Sequence, residues 1–180
     1  MRPIFTVHAG EYLVGSAIEE TFPNLRVWVP SKDDGIDLLV SDRECKKSIS
    51  LQVKFSKDYF GKSVKKEIAA GIKSGGWWSF APEKIQNSTA DYWVLALYQF
   101  QDRNFDFVVI KPQKLAGLYS AICPNVKKIQ SYVWVTSDNK CWETRGLSKQ
   151  DQLLVAQGKY SNHTRNLSSL LNNWGPFKKL

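Results

Sequence analysis

The ten residues from Asp91 to Phe100 (DYWVLALYQF) constrain the fold more than any other stretch of the chain. After Asp91 they carry no charge, and the Trp93–Leu97 centre is continuously apolar. Such a run reads as a strand buried in the middle of a sheet. Five apolar residues fall far short of the roughly 18 that cross a bilayer, so the run needs a globular core around it and no membrane partner is expected.

What precedes this strand fixes the kind of sheet. Leu13, Val14, Ala17, Ile18 and Thr21 recur at helical spacing, predicting a helix over about residues 9–21 that Pro23 and Asn24 break. Three strands follow at 25–29, 36–40 and 49–55, joined by the turn Ser31-Lys32-Asp33-Asp34-Gly35 and the charged loop 41–47. The pattern 64–72 predicts a helix ended by Ser74-Gly75-Gly76, and Pro82 opens a short helix through Ile85. The return from the third strand to 91–100 should be a right-handed crossover that leaves the two strands parallel. The expected fold is α/β, a mixed central sheet flanked by helices. Beyond it lie an antiparallel neighbour at 105–111, a helix at 112–120, a strand at 131–136, a helix at 147–157 capped by Ser148 with Asp151 three residues on, and a last helix at 164–173. One domain over 1–180 is expected, with its core in about 9–111 and additions in 112–180.

Charge adds a bias toward an anionic partner. The chain holds 25 Lys+Arg against 17 Asp+Glu, a formal net charge of +8. Residues 51–75 are locally basic: Lys54, Lys57, Lys62, Lys65, Lys66 and Lys73 face only Asp58 and Glu67. Cys45, Cys123 and Cys141 suit neither a disulfide framework nor a zinc knuckle, and Glu11 interrupts the N-terminal segment before any long apolar stretch. Both observations predict a cytoplasmic protein without a secretory signal.

The chemistry concentrates between Gly10 and Lys54. Gly35-Ile36-Asp37-Leu38-Leu39-Val40 places a carboxylate at the start of an apolar strand, where leaving it unpaired would be costly. In Leu51-Gln52-Val53-Lys54-Phe55, alternation sends Gln52 and Lys54 to one face and Leu51, Val53 and Phe55 to the other. Paired as a hairpin, the two strands let Asp37 face Gln52 and Lys54. The carboxylate, the amide oxygen and the Val53 carbonyl then offer hard ligands suited to Mg²⁺. A strand pair with charges on an exposed face accounts for the same residues.

Gly10-Glu11 opening a helix, then Gly35-Ile36-Asp37, then Gln52-Val53-Lys54, resembles the PD-(D/E)XK nuclease superfamily. The likeness is to its restriction-endonuclease-like and Holliday-junction-resolvase-like branches, over roughly residues 9–100. The resemblance implies a core of helix, three strands, helix and strand, and a Mg²⁺-dependent DNA endonuclease, with Mn²⁺ as a substitute ion. It makes Asp37 the central metal-binding residue, with Gln52, the Val53 carbonyl and Glu11 completing the site, and Lys54 the residue that orients water and stabilises charge. Gln52 stands where most members carry Asp or Glu; it removes a negative charge and weakens the expected ion binding. Glu19 competes with Glu11 for the helical acidic position. Restriction, repair or a mobile element are the implied settings, and a homodimer suits cleavage of both strands. A nuclease-like fold that binds nucleic acid or protein without cutting is the alternative that Gln52 keeps open.

Around that site, Ser56 continues the face of Gln52 and Lys54, a candidate nucleic-acid contact that could hydrogen-bond substrate or simply a surface serine, and Lys57, Lys62, Lys65 and Lys66 are candidate phosphate contacts or simply a solvated face. Gly61-Lys62-Ser63 is not a P-loop, because Ser56 stands where its leading Gly belongs, so no nucleotide cofactor is expected. His8 and His163 have no metal-spaced partners. Trp77 and Trp78 are candidates for core packing or for stacking on bases.

Overall fold

The computed structural model describes residues 9–32, 34–57, 64–99 and 103–180. Helix α1 (Ala9–Thr21) leads into the antiparallel strands β1 (Arg26–Trp28), β2 (Leu38–Ser41) and β3 (Ser48–Lys57). Then come α2 (Lys66–Ala69), β4 (Ile72–Phe80), α3 (Pro82–Gln86), β5 (Tyr92–Gln99) and β6 (Asn104–Ile110). Helix α4 (Pro112–Ile122), β7 (Ile129–Thr136), β8 (Cys141–Glu143) and α5 (Lys149–Ala156) complete the regular elements, and three short 3-10 turns close the chain.

The protein is α/β with a mixed five-stranded sheet in the order β1-β2-β3-β5-β6. Its one parallel pair is β3 with β5, in register from Leu51 opposite Tyr92 to Lys57 opposite Tyr98. Strand β5 lies inside the sheet between β3 and β6, and Val94 to Leu97 are all within 1% of full burial. A second sheet, β4-β7-β8, is entirely antiparallel. No helix among the described residues is long and apolar enough to cross a membrane.

Alternation on the strands splits the core. Val14, Ala17 and Ile18 of α1 pack on Leu38, Val40, Leu51, Val53, Val94 and Ala96, and the C-terminal Phe177 joins them. The opposite face sends Trp93, Leu95, Leu97, Val108 and Ile110 against Trp78, Phe80, Val133 and Val135 of the second sheet and Leu115, Leu118 and Tyr119 of α4. Each fully buried aliphatic side chain contributes about 1.5–3 kcal/mol, so both layers matter to stability. On the outer side of the second sheet, Trp134 and Trp142 are covered by Ile68 of α2 and Val155 of α5.

Strand β4 replaces the expected end of a helix at 64–72. Only Lys66–Ala69 are helical, and Ser74-Gly75-Gly76 lie inside a strand paired with β7, Gly75 opposite Trp134 and Gly76 opposite Val133. A Cβ at Gly76 would fall 2.3 Å from Cη2 of Trp78, so the glycine lets the indole lie flat on the main chain. Pairing and this close approach override the local turn signal. A register shift between Ile72 and Ser74 aims Lys73 at the buried Asp106, Nζ to Oδ1 3.1 Å. The expected helix at 164–173 is instead broken into 3-10 turns at His163–Arg165 and Ser168–Leu170. There, bridges from Asn166 to Trp142 and from Leu171 to Val108 draw the backbone onto strand edges.

Candidate functional site

Strand β3 outruns β2. The last pair is Leu38 with Leu51, after which the Asp37 N–H donates to the Leu51 carbonyl at 2.8 Å and the backbone of β2 turns away. Gly35, with φ +99°, sets that turn in a conformation few side chains adopt. From Gln52 onward the β2-facing edge of β3 has no strand partner among the described residues, and a side chain takes its place. Oδ2 of Asp37 accepts the Val53 N–H at 2.6 Å. The same oxygen accepts the Nε2 amide of Gln52 and lies 4.0 Å from Nζ of Lys54.

All these contacts of Asp37 fall on Oδ2; Oδ1 takes none of them. A carboxylate accepts only, so the amide of Gln52 must present its NH₂ toward Asp37 and its oxygen away. The carbonyl of Val53 lies on the same strand edge as its N–H, because a strand residue points both groups to one side. The carboxylate of Asp37 and the main-chain carbonyl of Val53 thus gather at the edge where the two strands part, with the NH₂ of Gln52 on the carboxylate.

Lys54 is held between charge and aromatic surface. Its side chain is 34% exposed and that of Asp37 14%. Nζ stands 5.6 Å over the indole of Trp93, which is opposite Gln52 in the parallel pair. Trp93 is itself fixed by donating Nε1–H to Ser88 Oγ at 2.8 Å and by an edge-on contact with Phe80. A cation over an indole gains about 0.5–2 kcal/mol and keeps its ammonium directed. Sequence reasoning missed Trp93; its signal was the parallel register, which carries the aromatic run of β5 alongside the Gln-x-Lys segment.

The remaining candidates divide. Glu11 is half-buried in the first turn of α1. Neighbouring Gly10 is pressed on β3, where a Cβ would come 2.5 Å from Cβ of Phe55, the residue after Lys54. Helix α1 covers the Leu51 and Val53 face, so Glu11 approaches the strand from the side opposite Gln52 and Lys54. Glu19 is exposed, eight residues and about 12 Å further along the helix. Ser56 is buried rather than at the surface: it accepts the Trp77 N–H at 3.1 Å and donates to the Lys57 carbonyl at 2.9 Å. Lys57 is exposed at the end of β3. Lys65 and Lys66 are exposed at the start of α2, in the layer outside the second sheet, and Lys62 lies outside the described residues. Of the tryptophan pair, Trp78 is buried in the core and Trp77 is 37% exposed.

Two other buried acids serve the framework. Asp106 takes Lys73, Ser74 Oγ at 3.0 Å and Asn172 Nδ2 at 3.1 Å, tying both sheets to the C-terminal segment. Glu143 takes Ser131 Oγ at 2.6 Å, Tyr119 Oη at 3.3 Å and the N–H groups of Tyr132 and Arg145. Burial pushes its carboxyl above the usual glutamate range despite those donors. Burial also raises the Cys123 thiol and, far more, that of Cys141. Among the described residues no three His, Cys, Asp or Glu side chains converge. Compared with protein-family models, with curated proteins and with solved structures, the chain matches none.

Proposed function

We propose that this chain is a metal-dependent DNA endonuclease with a restriction-endonuclease-like core, hydrolysing phosphodiester bonds at the Asp37–Gln52–Lys54 cluster. The observation that carries the reading is the carboxylate of Asp37 seated at the edge of β3 beyond its pairing with β2, touching Gln52 and Val53, with the Lys54 ammonium 4.0 Å away. The donor set fits a hard divalent ion, Mg²⁺ or Mn²⁺: among the described residues the hydrogen bonds to Asp37 from Gln52 and Val53 fall on Oδ2 rather than Oδ1, and the Gln52 amide needs only rotation to offer its oxygen beside the Val53 carbonyl. When bound, such an ion supplies Lewis acidity and an activated water.

The protein's own groups do the rest. Asp37 supplies the fixed negative charge of the site. Lys54, held over Trp93, places a cation where negative charge grows on the phosphoryl oxygens and orients the attacking water. Its partial burial strengthens that interaction over the same contact in bulk water. Glu11 would join from the other side of the strand, at the end where Gly10 meets Phe55.

The test is plasmid nicking with Mg²⁺ or Mn²⁺ against EDTA, using wild type, Asp37→Ala and Lys54→Ala. Divalent-dependent cleavage lost in both variants supports the reading. Cleavage unchanged in either variant overturns the assignment. A second reading, a nuclease-like fold that binds without cutting, is favoured by the neutral Gln52; it predicts DNA binding with no nicking in any divalent ion.

A further inference from the structure

The sheet face that carries the Asp37 cluster extends to β1, where an aromatic ring and a guanidinium stand in solvent. Residues directly opposite on neighbouring strands share a face. Trp28 is opposite Leu39, and Leu39 is opposite Ser50, two residues before Gln52. Arg26 is opposite Ser41 on the same face. Trp28 therefore lies one strand across and two residues along from Asp37, about 8 Å between main chains from the strand spacing and rise. That distance is the scale of two nucleotide steps, each about 3.4 Å when stacked and longer when extended.

Trp28 is 45% exposed, yet its ring is tethered. Nε1 donates to Ser41 Oγ at 3.0 Å, and Ser41, almost fully buried, donates in turn to the Asp42 carbonyl. The hydrogen bond fixes one edge of the indole while nearly half of the residue remains open to solvent. Arg26, two residues away on the same strand, is also exposed. A fixed aromatic plane beside an always-charged guanidinium matches a base and its phosphate.

We infer that Trp28 and Arg26 form a nucleotide subsite of the proposed nuclease, Trp28 stacking on an unpaired base and Arg26 meeting the adjoining phosphate. This rests on the nuclease reading and names its substrate class. In a continuous duplex the faces of each base are covered by their neighbours, so an indole can stack only where a base is unpaired or unstacked. The preferred substrate is DNA with a single-stranded flap, junction or mismatch next to the scissile bond. A second copy of the chain is a poorer occupant, because β1 offers an edge of only three residues.

The test measures anisotropy of labelled DNA with the full chain in EDTA, on an oligo-dT, a blunt duplex, and that duplex carrying an unpaired flap. Wild type should bind oligo-dT and the flap more tightly than the blunt duplex. Trp28→Ala should weaken the first two about 5- to 150-fold, corresponding to about 1–3 kcal/mol per stacked base. Its effect on the blunt duplex should be slight, and Trp28→Phe should retain most of the affinity. Equal binding of all three DNAs by wild type, or Trp28→Ala binding like wild type, overturns the inference. So does a dimer that Trp28→Ala dissociates without loss of DNA affinity. Parallel nicking assays separate the two readings. Trp28-dependent binding without cleavage keeps the subsite and removes the nuclease, whereas Asp37-dependent cleavage of the flap indifferent to Trp28→Ala does the reverse.

Discussion

Oδ2 of Asp37 accepts the main-chain N–H of Val53 at 2.6 Å, so a side chain completes a ladder position that β2 no longer reaches. Structure and proposed chemistry therefore separate by substitution. Asp37→Asn can still accept from Val53 through its amide oxygen but carries no charge. Cleavage should fall on the order of 100-fold or more with a nearly unchanged urea midpoint. Asp37→Ala also leaves the Val53 N–H unsatisfied, adding about 1–3 kcal/mol of destabilisation. Equal activity of Asp37→Asn and wild type would show that charge at this edge is dispensable.

Gln52→Glu restores a second carboxylate against Asp37. Two such groups on a buried edge repel, so the melting temperature in EDTA should drop below wild type. Saturating Mg²⁺ should then raise it by more than it raises wild type, since an ion bound at 100 times its Kd adds about 2.7 kcal/mol. Thermal denaturation with and without Mg²⁺ checks this, and an equal response of the two proteins would place ion binding elsewhere.

Glu143 predicts a pH dependence. Its folded-state carboxyl is pushed up by burial, so the native state holds a proton that the unfolded chain releases. Stability from this residue is present below the ordinary glutamate range and declines as pH rises from there toward the raised folded value. Glu143→Gln cannot ionise and keeps one oxygen for the Tyr132 and Arg145 N–H groups; its urea midpoint should vary less with pH. Glu143→Ala strands those donors and should lose about 2–4 kcal/mol at neutral pH. A Gln variant with the wild-type slope would remove Glu143 as the source.

Two glycines should respond in opposite directions to alanine. A Cβ at Gly71 would lie 2.2 Å from the Ala156 carbonyl oxygen, a main-chain atom between α2 and α5 that cannot step aside cheaply. Gly71→Ala should therefore destabilise by about 2 kcal/mol or more. At Gly117 in α4 nothing lies within 4 Å of the added carbon, and Gly117→Ala should stabilise by about 0.5–1 kcal/mol. Chemical denaturation of the two variants reads both signs.

Lys57 continues the strand of the site, whereas Lys65 and Lys66 ride on the layer outside the second sheet. In salt titrations of duplex binding, Lys57→Ala should reduce the log–log slope by about 0.9. The pair Lys65→Ala, Lys66→Ala should leave it unchanged; a loss of slope there would bring α2 into the contact.

Local signals in the sequence mark much of the fold. Pro82 and Pro112 sit at the first turns of α3 and α4, and the Ser148 hydroxyl caps α5 by accepting the Asp151 N–H. The Asp37–Gln52–Lys54 grouping was legible because a hairpin and strand alternation alone bring it together. Strand β4 was hidden because Gly75-Gly76 reads as a turn until β7 is there to pair with it. The bridges at Asn166 and Leu171 likewise depend on distant strands. The position of Glu11 relative to Asp37 depends on which face α1 covers, and the exposure of Trp28 on register across β1 and β2. Neither is a property of a local window.

The bond from the Trp77 N–H to Ser56 joins β4 to the far end of β3. It makes the second sheet a brace on the strand that holds Gln52 and Lys54. Opening β4 would expose the Trp77 amide and release the end of β3 in one event, so the two should exchange hydrogen at a common rate. The geometry at Asp37 is then a property of both sheets together, and a lesion in the distant one would blunt the site without touching any of its residues.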